Sequence, residues 1–473
     1  MKRTKIICTL GPATDSPELL RKLIQSGMDV ARINMSHGTH EEHIRRMAAV
    51  RDIASQLGRH VSLMIDIAGP KIRTGPVEGG KIELTTGSFV SLTTRPLEGN
   101  AEILSIGYPK LTQSVRPGSR ILLSDGLIEL QVEEVDLARD HILCQVISGG
   151  ILGSRKGVTL PGVSIDLPAV TDKDIEDLRI GLSQGADFVA ASFIRKARDV
   201  AEVKTMVRQC GSNADVIAKI ESGEGVNNIS EIVEAADGVM VARGDLGVET
   251  PPERVPLVQK MIVTECNRKG KPVIIATEML ESMIHNPRPT RAEVTDVANA
   301  ILDGTDAIML SGETAVGCYP VQAVKMMSKI AEAIESSSRY EEIFFERQMT
   351  PTPTVADAIS HAASQIAHDL HIKAILTSTQ SGATARMASK YRPRVPIVAV
   401  TPNPDVARKL SLVWGVCPIV SRSARNIDDM LDIAVESGLA TGIIGRGDLV
   451  AITAGVRTGV PGTTNLIKIH QVE

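Results

Sequence analysis

The sequence predicts an α/β protein built on a (β/α)8 barrel, with a small β-barrel lid domain inserted into it and a separate α/β domain at the C-terminal end. Three observations lead there. Over residues 1–69 and 169–345, short and nearly continuous apolar runs alternate with amphipathic stretches about eight times, as parallel strands buried on both faces require. Over 70–168 the pattern changes to apolar-polar alternation with turn residues between the runs. After a proline-bearing break, residues 346–473 resume the strand-helix rhythm as a third unit. An open doubly wound sheet is the competing arrangement for the first pattern, because alternation by itself does not show closure.

In chain order, the barrel strands are expected in TKIICTLGP, DVARINMSH, VSLMIDIAG, DFVAASFI, DVIAKIES, GVMVARGDLG, KPVIIATEML and AIMLSGETA. Each is rich in Ile, Val, Ala or Met. Between them, SPELLRKLIQSG and DKDIEDLRIGLSQG have helical periodicity and end on a glycine suited to a helix C-terminus. Within the insert, GKIELTTGSFVSLTT, SRILLSDGLIELQVEEV and HILCQVISGG are strands, SDG marks a turn, and no helix is expected. Gly69-Pro70 and LPGVSIDLPAVTD are its hinges. VQAVKMMSKIAEAIESS is a helix and FFERQMTPTPT a linker. The final unit is expected to contain helices in ADAISHAASQIAHDL, ATARMASKYR, DVARKLSL and DDMLDIAVESG, and strands in KAILTST, PIVAV and DLVAITAG.

Composition narrows the function. At 473 residues with 43% hydrophobic and 23% charged side chains, the chain has the make-up of a multidomain soluble protein. Aromatics are only 2%, so the core must come from aliphatic side chains. A net charge of −4 argues against a nucleic-acid partner. No apolar run is long enough for a bilayer span, and the one in MKRTKIICTLGP is too short for a secretory signal. The cysteines (Cys8, Cys144, Cys210, Cys266, Cys318, Cys417) are scattered singly, which suits reduced thiols in the cytoplasm better than disulfides or a zinc site.

Polar residues gather at the C-terminal ends of the expected strands, the face where (β/α)8 barrels carry their chemistry. RINMSH sets Arg32, Asn34 and Ser36 at alternate positions on one side of a strand, and AKIES does the same for Lys219 and Glu221. ARGDLG presents Arg243 and Asp245 at that spacing, while IATEML adds Thr277 and MIDIAGPKIR adds Asp66. Any one of these charges alone reads as a solvated loop residue or an ion pair, and Met279 and Met283 read as core. Their coincidence on one rim is what carries function. Glu221 and Asp245 follow consecutive strands and suit a shared hard cation such as Mg2+. Arg32, Arg73 and Lys219 add positive charge fit for a substrate with phosphate and carboxylate groups. Positioning and charge neutralisation are the needs of phosphoryl transfer. No G-x-x-x-x-G-K-[ST] motif is present, so the scaffold is not a P-loop one.

TKIICTLGPAT, ARINMSHG, GPKIRTG, RKGVTLPG, AKIES, VARGDLGVE, ATEMLESM, RPTRAEVTDVANAILDGTDAIMLSGETAVGCYP and GTTNLIKI resemble, in order and over nearly the whole chain, the signatures of the pyruvate kinase family. The resemblance is to the bacterial-type, three-domain form. It implies transfer of the phosphoryl group of phosphoenolpyruvate to ADP, giving pyruvate and ATP, by a glycolytic homotetramer. It further implies Mg2+, replaceable by Mn2+, on Glu221 and Asp245. Lys219 would neutralise the phosphoryl group in flight, Arg32 would contact the phosphate, and Thr277 would orient the substrate and help protonate the enolate. The Gly244 backbone would help hold the substrate carboxylate, and Asp245 would also belong to the substrate-binding set. Arg73 and Lys156, with Asn34, Ser36 and His37, would line the nucleotide side beneath a lid that excludes water. In the C-terminal domain, TSTQSGATA resembles the family's effector loop, making Thr377, Ser378, Thr379, Ser381, Gly382 and Thr384 candidates for a phosphorylated allosteric ligand. The same residue types also serve as ordinary helix caps. Two rivals to this reading are a Mg2+-enolate barrel lyase and a non-catalytic metabolite binder. The first has no use for a nucleotide clamp, and the second would have lost Lys219, Glu221, Asp245 or Thr277.

One departure stands out. Many members read D-T-K-G-P-E-I-R where this chain has DIAGPKIR, and they bind K+ through positions equivalent to Asn34, Ser36 and Asp66 together with that threonine. Here Ile67 replaces the threonine and Lys71 the glutamate. The resemblance implies activity without K+, with the Lys71 ammonium in the role of the metal.

Overall fold

Eight parallel strands close into a barrel: β1 (Lys5–Leu10), β2 (Val30–Asn34), β3 (Ser62–Ile67), β4 (Phe188–Ala191), β5 (Asp215–Ile220), β6 (Gly238–Ala242), β7 (Val273–Ala276) and β8 (Ala307–Leu310). The computed structural model describes residues 2–346, 351–455 and 464–473. Closure comes from β1 pairing with β8, Lys5 opposite Ala307, which rules out the open sheet. All eight strands fall in the runs expected from sequence.

Strand alternation explains how the barrel combines an apolar floor with a polar mouth. Ile7, Val30, Met64, Phe188, Ala190, Ile217, Met240, Ile274, Ala276, Ala307 and Met309 fill the interior. Two residues further along the same faces come Arg32, Asp66, Ser192 and Lys219, so the inner face turns from apolar to charged as each strand approaches its C-terminal end. The outward residues of the strands pack on the surrounding helices in a second, larger core. Those helices start on side-chain caps: Thr39, Thr171 and Thr290 each form a reciprocal box with the acid three residues on, Glu42, Asp174 and Glu293.

The insert between β3 and the helix Asp172–Ser183 contains a six-stranded sheet and a two-stranded sheet around its own aliphatic core. Its two connections to the barrel are zipped together: Arg73 bridges Gly157, and Thr74 N–H donates to Lys156 O at 2.8 Å. The all-β expectation misses a 3-10 turn at Glu78–Gly80 and a one-turn α-helix, Leu111–Ser114, which forms where Pro109 leads into a stretch free of β-branched apolar residues.

The C-terminal sheet has five strands in the order Val416–Val420, Ile397–Thr401, Ala374–Ser378, Leu449–Gly455, Thr464–Gln471, parallel except for the last. The first and last of these are edge strands that the sequence reading leaves unassigned. Their burial is only partial, so they lack the continuous apolar run that marks the central strands. The expected linker FFERQMTPTPT is partly helical, since Ser338–Glu346 forms a helix; residues 347–350 lie outside the described residues.

This domain docks on the floor of the barrel. Leu412 joins the apolar barrel interior, and Trp414 is fully buried, stacked on Tyr340 at 6.3 Å and capped by Arg392 at 4.9 Å. Aspartates immediately before or at the start of three strands hold it there. Asp187 accepts from Arg408 at 2.8 Å, Asp215 from Arg386 at 2.9 Å and Lys409 at 2.6 Å, and Asp306 from Arg392 at 3.0 Å. Charges at this face serve assembly, while those at the opposite end are free for chemistry.

Candidate active site

Lys219 is the centre of the cluster at the barrel mouth. It is buried, and its Nζ lies 2.6 Å from Ser192 Oγ, 3.1 Å from Asp66 Oδ1 and 3.0 Å from Glu221 Oε1. Asp66 also receives Arg32 Nε on Oδ2 at 2.7 Å, and Arg32 Nη1 donates to Thr9 Oγ1 at 2.8 Å. One carboxylate thus fixes two cations side by side. Burial pushes the Asp66 carboxyl up, but Arg32 and Lys219 outweigh it and hold it below its ordinary range. Burial likewise pushes the Lys219 ammonium down, and Asp66 with Glu221 more than reverses this. Both groups stay charged.

Glu221 is anchored on its other oxygen by the Phe193 N–H at 2.7 Å. Phe193 has φ +56°, a left-handed conformation uncommon for a bulky residue, which turns its N–H toward the carboxylate. Burial, with Asp245 adding like charge, holds the Glu221 carboxyl above its ordinary value despite Lys219.

The stretch after β6 corrects one expectation. ARGDLG does not continue the strand: Arg243–Glu249 is a helix, so Arg243 and Asp245 do not share a strand face. Arg243 turns away, holding Asp296 with Nη1 at 2.8 and 2.7 Å and the Thr277 carbonyl at 2.7 Å. It supports the loop after β7. The first turn of that helix leaves the Gly244 N–H free to donate to Thr277 Oγ1 at 2.9 Å, while Thr277 Oγ1 donates to Ala276 O at 2.7 Å. Thr277 sits at φ +67°, an outlier for a β-branched residue, and Glu278 follows at φ +53°.

Asp245 faces the lid hinge, with its Oδ1 2.9 Å from Lys71 Nζ. Lys71 is also 3.8 Å from Asp125 of the lid and 5.8 Å from the centre of the Phe193 ring. Arg73 and Lys156 are exposed, and the bridged hinge strands bring their segments together. At the end of β2, Asn34 continues the inner face. Ser36 does not, because Met35 and Ser36 form a turn in which the Ser36 N–H donates to Asn34 Oδ1 at 3.2 Å. His37 is exposed on the same loop.

Ser192, Thr9 and the Phe193 backbone belong to the cluster but were not singled out from sequence. Ser192 carried a usable signal, a lone hydroxyl ending the apolar run DFVAAS. Thr9 sits mid-run and carried none.

Among the described residues no three His, Cys, Asp or Glu side chains gather as a metal cage. Glu221 and Asp245 nevertheless fit a hexacoordinate divalent cation, which takes one or two carboxylates and completes its shell with water or substrate oxygens. The like charge between them is what such an ion relieves.

In the C-terminal domain the candidate effector residues follow the strand Ala374–Ser378 and lead into the helix Ala383–Lys390. Thr377 and Thr379 are buried, Thr379 Oγ1 accepts the Gly382 N–H at 2.9 Å, and Thr384 Oγ1 pairs with Thr464 Oγ1 at 2.7 Å. Gly382 has φ +83°, which glycine adopts without strain. Ser378 and Ser381 are partly exposed.

Comparison with known proteins covers the whole chain. Residues 1–324 match the family model described as pyruvate kinase, barrel domain, and residues 357–470 the one described as pyruvate kinase, alpha/beta domain. A pyruvate kinase of Sporosarcina psychrophila is 51% identical over 473 residues, covering 100% of this chain and 81% of the relative. One from Staphylococcus aureus is 49% identical with the same coverage. The crystal structure of a pyruvate kinase from Cryptosporidium parvum superimposes with a TM-score of 0.94 at 41% identity, covering 100% of this chain and 96% of that one.

Proposed function

The chain belongs to the pyruvate kinase family, and from that premise we propose how its residues divide the family's work between them. The enzyme is a glycolytic phosphotransferase: phosphoenolpyruvate, ADP and a proton give pyruvate and ATP. A barrel lyase finds no support among its relatives.

The observation that carries the residue assignment is the Lys219 ammonium held by Ser192, Asp66 and Glu221 beside the Arg32 guanidinium. Two fixed cations at the apex of the barrel mouth receive the phosphate of phosphoenolpyruvate, Arg32 binding it and Lys219 following its charge as the P–O bond to the enol oxygen breaks. The β-phosphate oxygen of ADP forms the new P–O bond. The electron pair left on the enol oxygen becomes the pyruvate carbonyl once C3 takes a proton. The Gly244 N–H, now on Thr277 Oγ1, holds the substrate carboxylate, and Thr277 orients the substrate and takes part in delivering that proton. Arg73 and Lys156, with Asn34, Ser36 and His37, bind the nucleotide side, and the lid of residues 70–168 excludes water.

Mg2+ dependence is general in the family. Glu221 and Asp245 would hold the ion, which would supply Lewis-acid neutralisation of substrate charge. Lys71, in contact with Asp245, takes the place of K+. Thr377, Ser378, Thr379, Ser381, Gly382 and Thr384 bind a phosphorylated effector at the start of the helix Ala383–Lys390, and the working form is a homotetramer. Six unpaired cysteines support a cytoplasmic setting. Among the described residues no helix is long and apolar enough to cross a membrane.

The test is pyruvate release from phosphoenolpyruvate with MgADP. ADP-dependent release is expected; equal release without ADP would remove the phosphotransfer reading.

A further inference from the structure

A small cleft opens between the barrel floor and the C-terminal domain, at the opposite end of the strands from Lys219. Four cations line it, Lys271, Arg386, Lys390 and Arg392, against one carboxylate, Asp306; Asn267 adds an amide. Such a ratio calls for an account of where the positive charge goes.

Three of the four cations are paired. Arg392 takes Asp306 through Nη1 and Nη2, both at 3.0 Å, Lys390 takes Asp357 at 2.7 Å, and Arg386 takes Asp215 at 2.9 Å. Asp215 is shared with Lys409 at 2.6 Å, so it neutralises only one of its two cations. Lys271 has no carboxylate within ion-pair distance among the described residues, and its ammonium donates to the Ala236 carbonyl at 2.7 Å. Arg392 is buried, yet its Nε–H finds no acceptor. A buried guanidinium donor left unmatched is uncommon and costly. Burial pushes the Lys271 ammonium down and neighbouring Lys204 and Arg386 add to this, with Asp237 opposing, so an anion there would relieve it.

We propose that this cleft binds a phosphate group, carried by inorganic phosphate or by a small phosphate monoester, with Lys271 supplying the unpaired charge and the Arg392 Nε–H an open donor. The cleft borders both domains: Asn267, Lys271 and Asp306 belong to the barrel, and Arg386, Lys390 and Arg392 to the C-terminal domain. A phosphate seated there ties the two together. Arg386 extends the link, since its Nη1 donates to Ser381 O of the candidate effector loop at 3.3 Å. The site is separate from that loop, lying toward the other end of the helix Ala383–Lys390.

Calorimetric titration of the full-length enzyme with inorganic phosphate at constant ionic strength tests this. Compared are the wild type, Lys271→Met, Lys271→Arg and the loop variant Ser378→Ala/Ser381→Ala. A Lys271-dependent binding event is expected, weakened about tenfold or more in Lys271→Met, as loss of a charge-assisted hydrogen bond predicts. It should be retained in Lys271→Arg and in the loop variant. A parallel titration with a sugar monophosphate identifies the carrier, tighter binding marking an ester and weaker binding the free ion; either order at a Lys271-dependent site supports the proposal. Equal binding by wild type and Lys271→Met, or loss of all binding in the loop variant, would overturn it. Wild-type crystals soaked in arsenate give a readout independent of any variant's folding: anomalous density beside Lys271 supports the site, and its absence there refutes it.

Discussion

Lys71 Nζ lies 2.9 Å from Asp245 Oδ1, joining the hinge of the lid to the carboxylate that follows β6. This contact puts a covalently tethered cation beside one of the two carboxylates assigned to Mg2+. The same ammonium lies 3.8 Å from Asp125 of the lid. Initial rates measured in potassium and in tetramethylammonium at equal ionic strength should agree within about twofold, whereas Lys71→Gln should lose about tenfold or more in kcat/KM, equal to roughly 1.4 kcal/mol. Strong K+ activation of the wild type at saturating substrates would end this role for Lys71.

Under the proposed mechanism, Lys219→Ala should lower kcat by about a thousandfold or more, by removing the cation assigned to charge that grows in the transition state. The far-ultraviolet circular dichroism should be unchanged, since the helices and sheets do not rest on this side chain. Near-normal turnover would take Lys219 out of the mechanism.

Thr277 stores backbone strain at φ +67°, worth about 1–3 kcal/mol for a residue of its type. Thr277→Gly should therefore keep or raise the melting temperature while turnover falls by orders of magnitude. Thr277→Ala should lose a similar share of turnover without the gain in stability. A glycine variant with a clearly lower melting temperature would contradict the strain.

Glu249, at the end of the helix that carries Asp245, is pushed up to about 7 by burial, with Glu224, Asp245 and Glu221 adding like charge and the Gly223 N–H opposing. The sign follows from proton counting. Between the ordinary value of 4.5 and about 7 the folded chain binds the proton that the unfolded chain has released, so stability falls as pH rises through this window. Glu249→Gln should flatten that part of the denaturation profile and be the more stable form at pH 8. Mg2+ at Glu221 and Asp245 adds positive charge nearby and should move the midpoint down. A profile identical in wild type and variant would disprove the assignment.

Much of the site was legible because strand alternation is a local property. Lys219 and Glu221 share a face by their spacing in AKIES, and the structure has them 3.0 Å apart. The same rule failed at ARGDLG, where a glycine and the end of the apolar run permit a helix, and at Ser36, where the chain has already turned. Alternation predicts direction only while the strand lasts.

The sequence by itself determined the alternating frame of the barrel, the β insert, the C-terminal unit and the side of the strands on which Arg32, Asp66, Lys219 and Glu221 would stand. Apolar periodicity and turn chemistry are written in neighbouring residues, and they suffice for that. Only the tertiary structure decided that β1 meets β8, that Asp66 joins Arg32 to Lys219, that Lys71 reaches Asp245, and that Lys271 faces three cations of another domain. These contacts link residues 34, 153, 174 and more than 100 positions apart. Electrostatic energy depends on distance in space, and no local pattern in the chain encodes which charges closure will bring together.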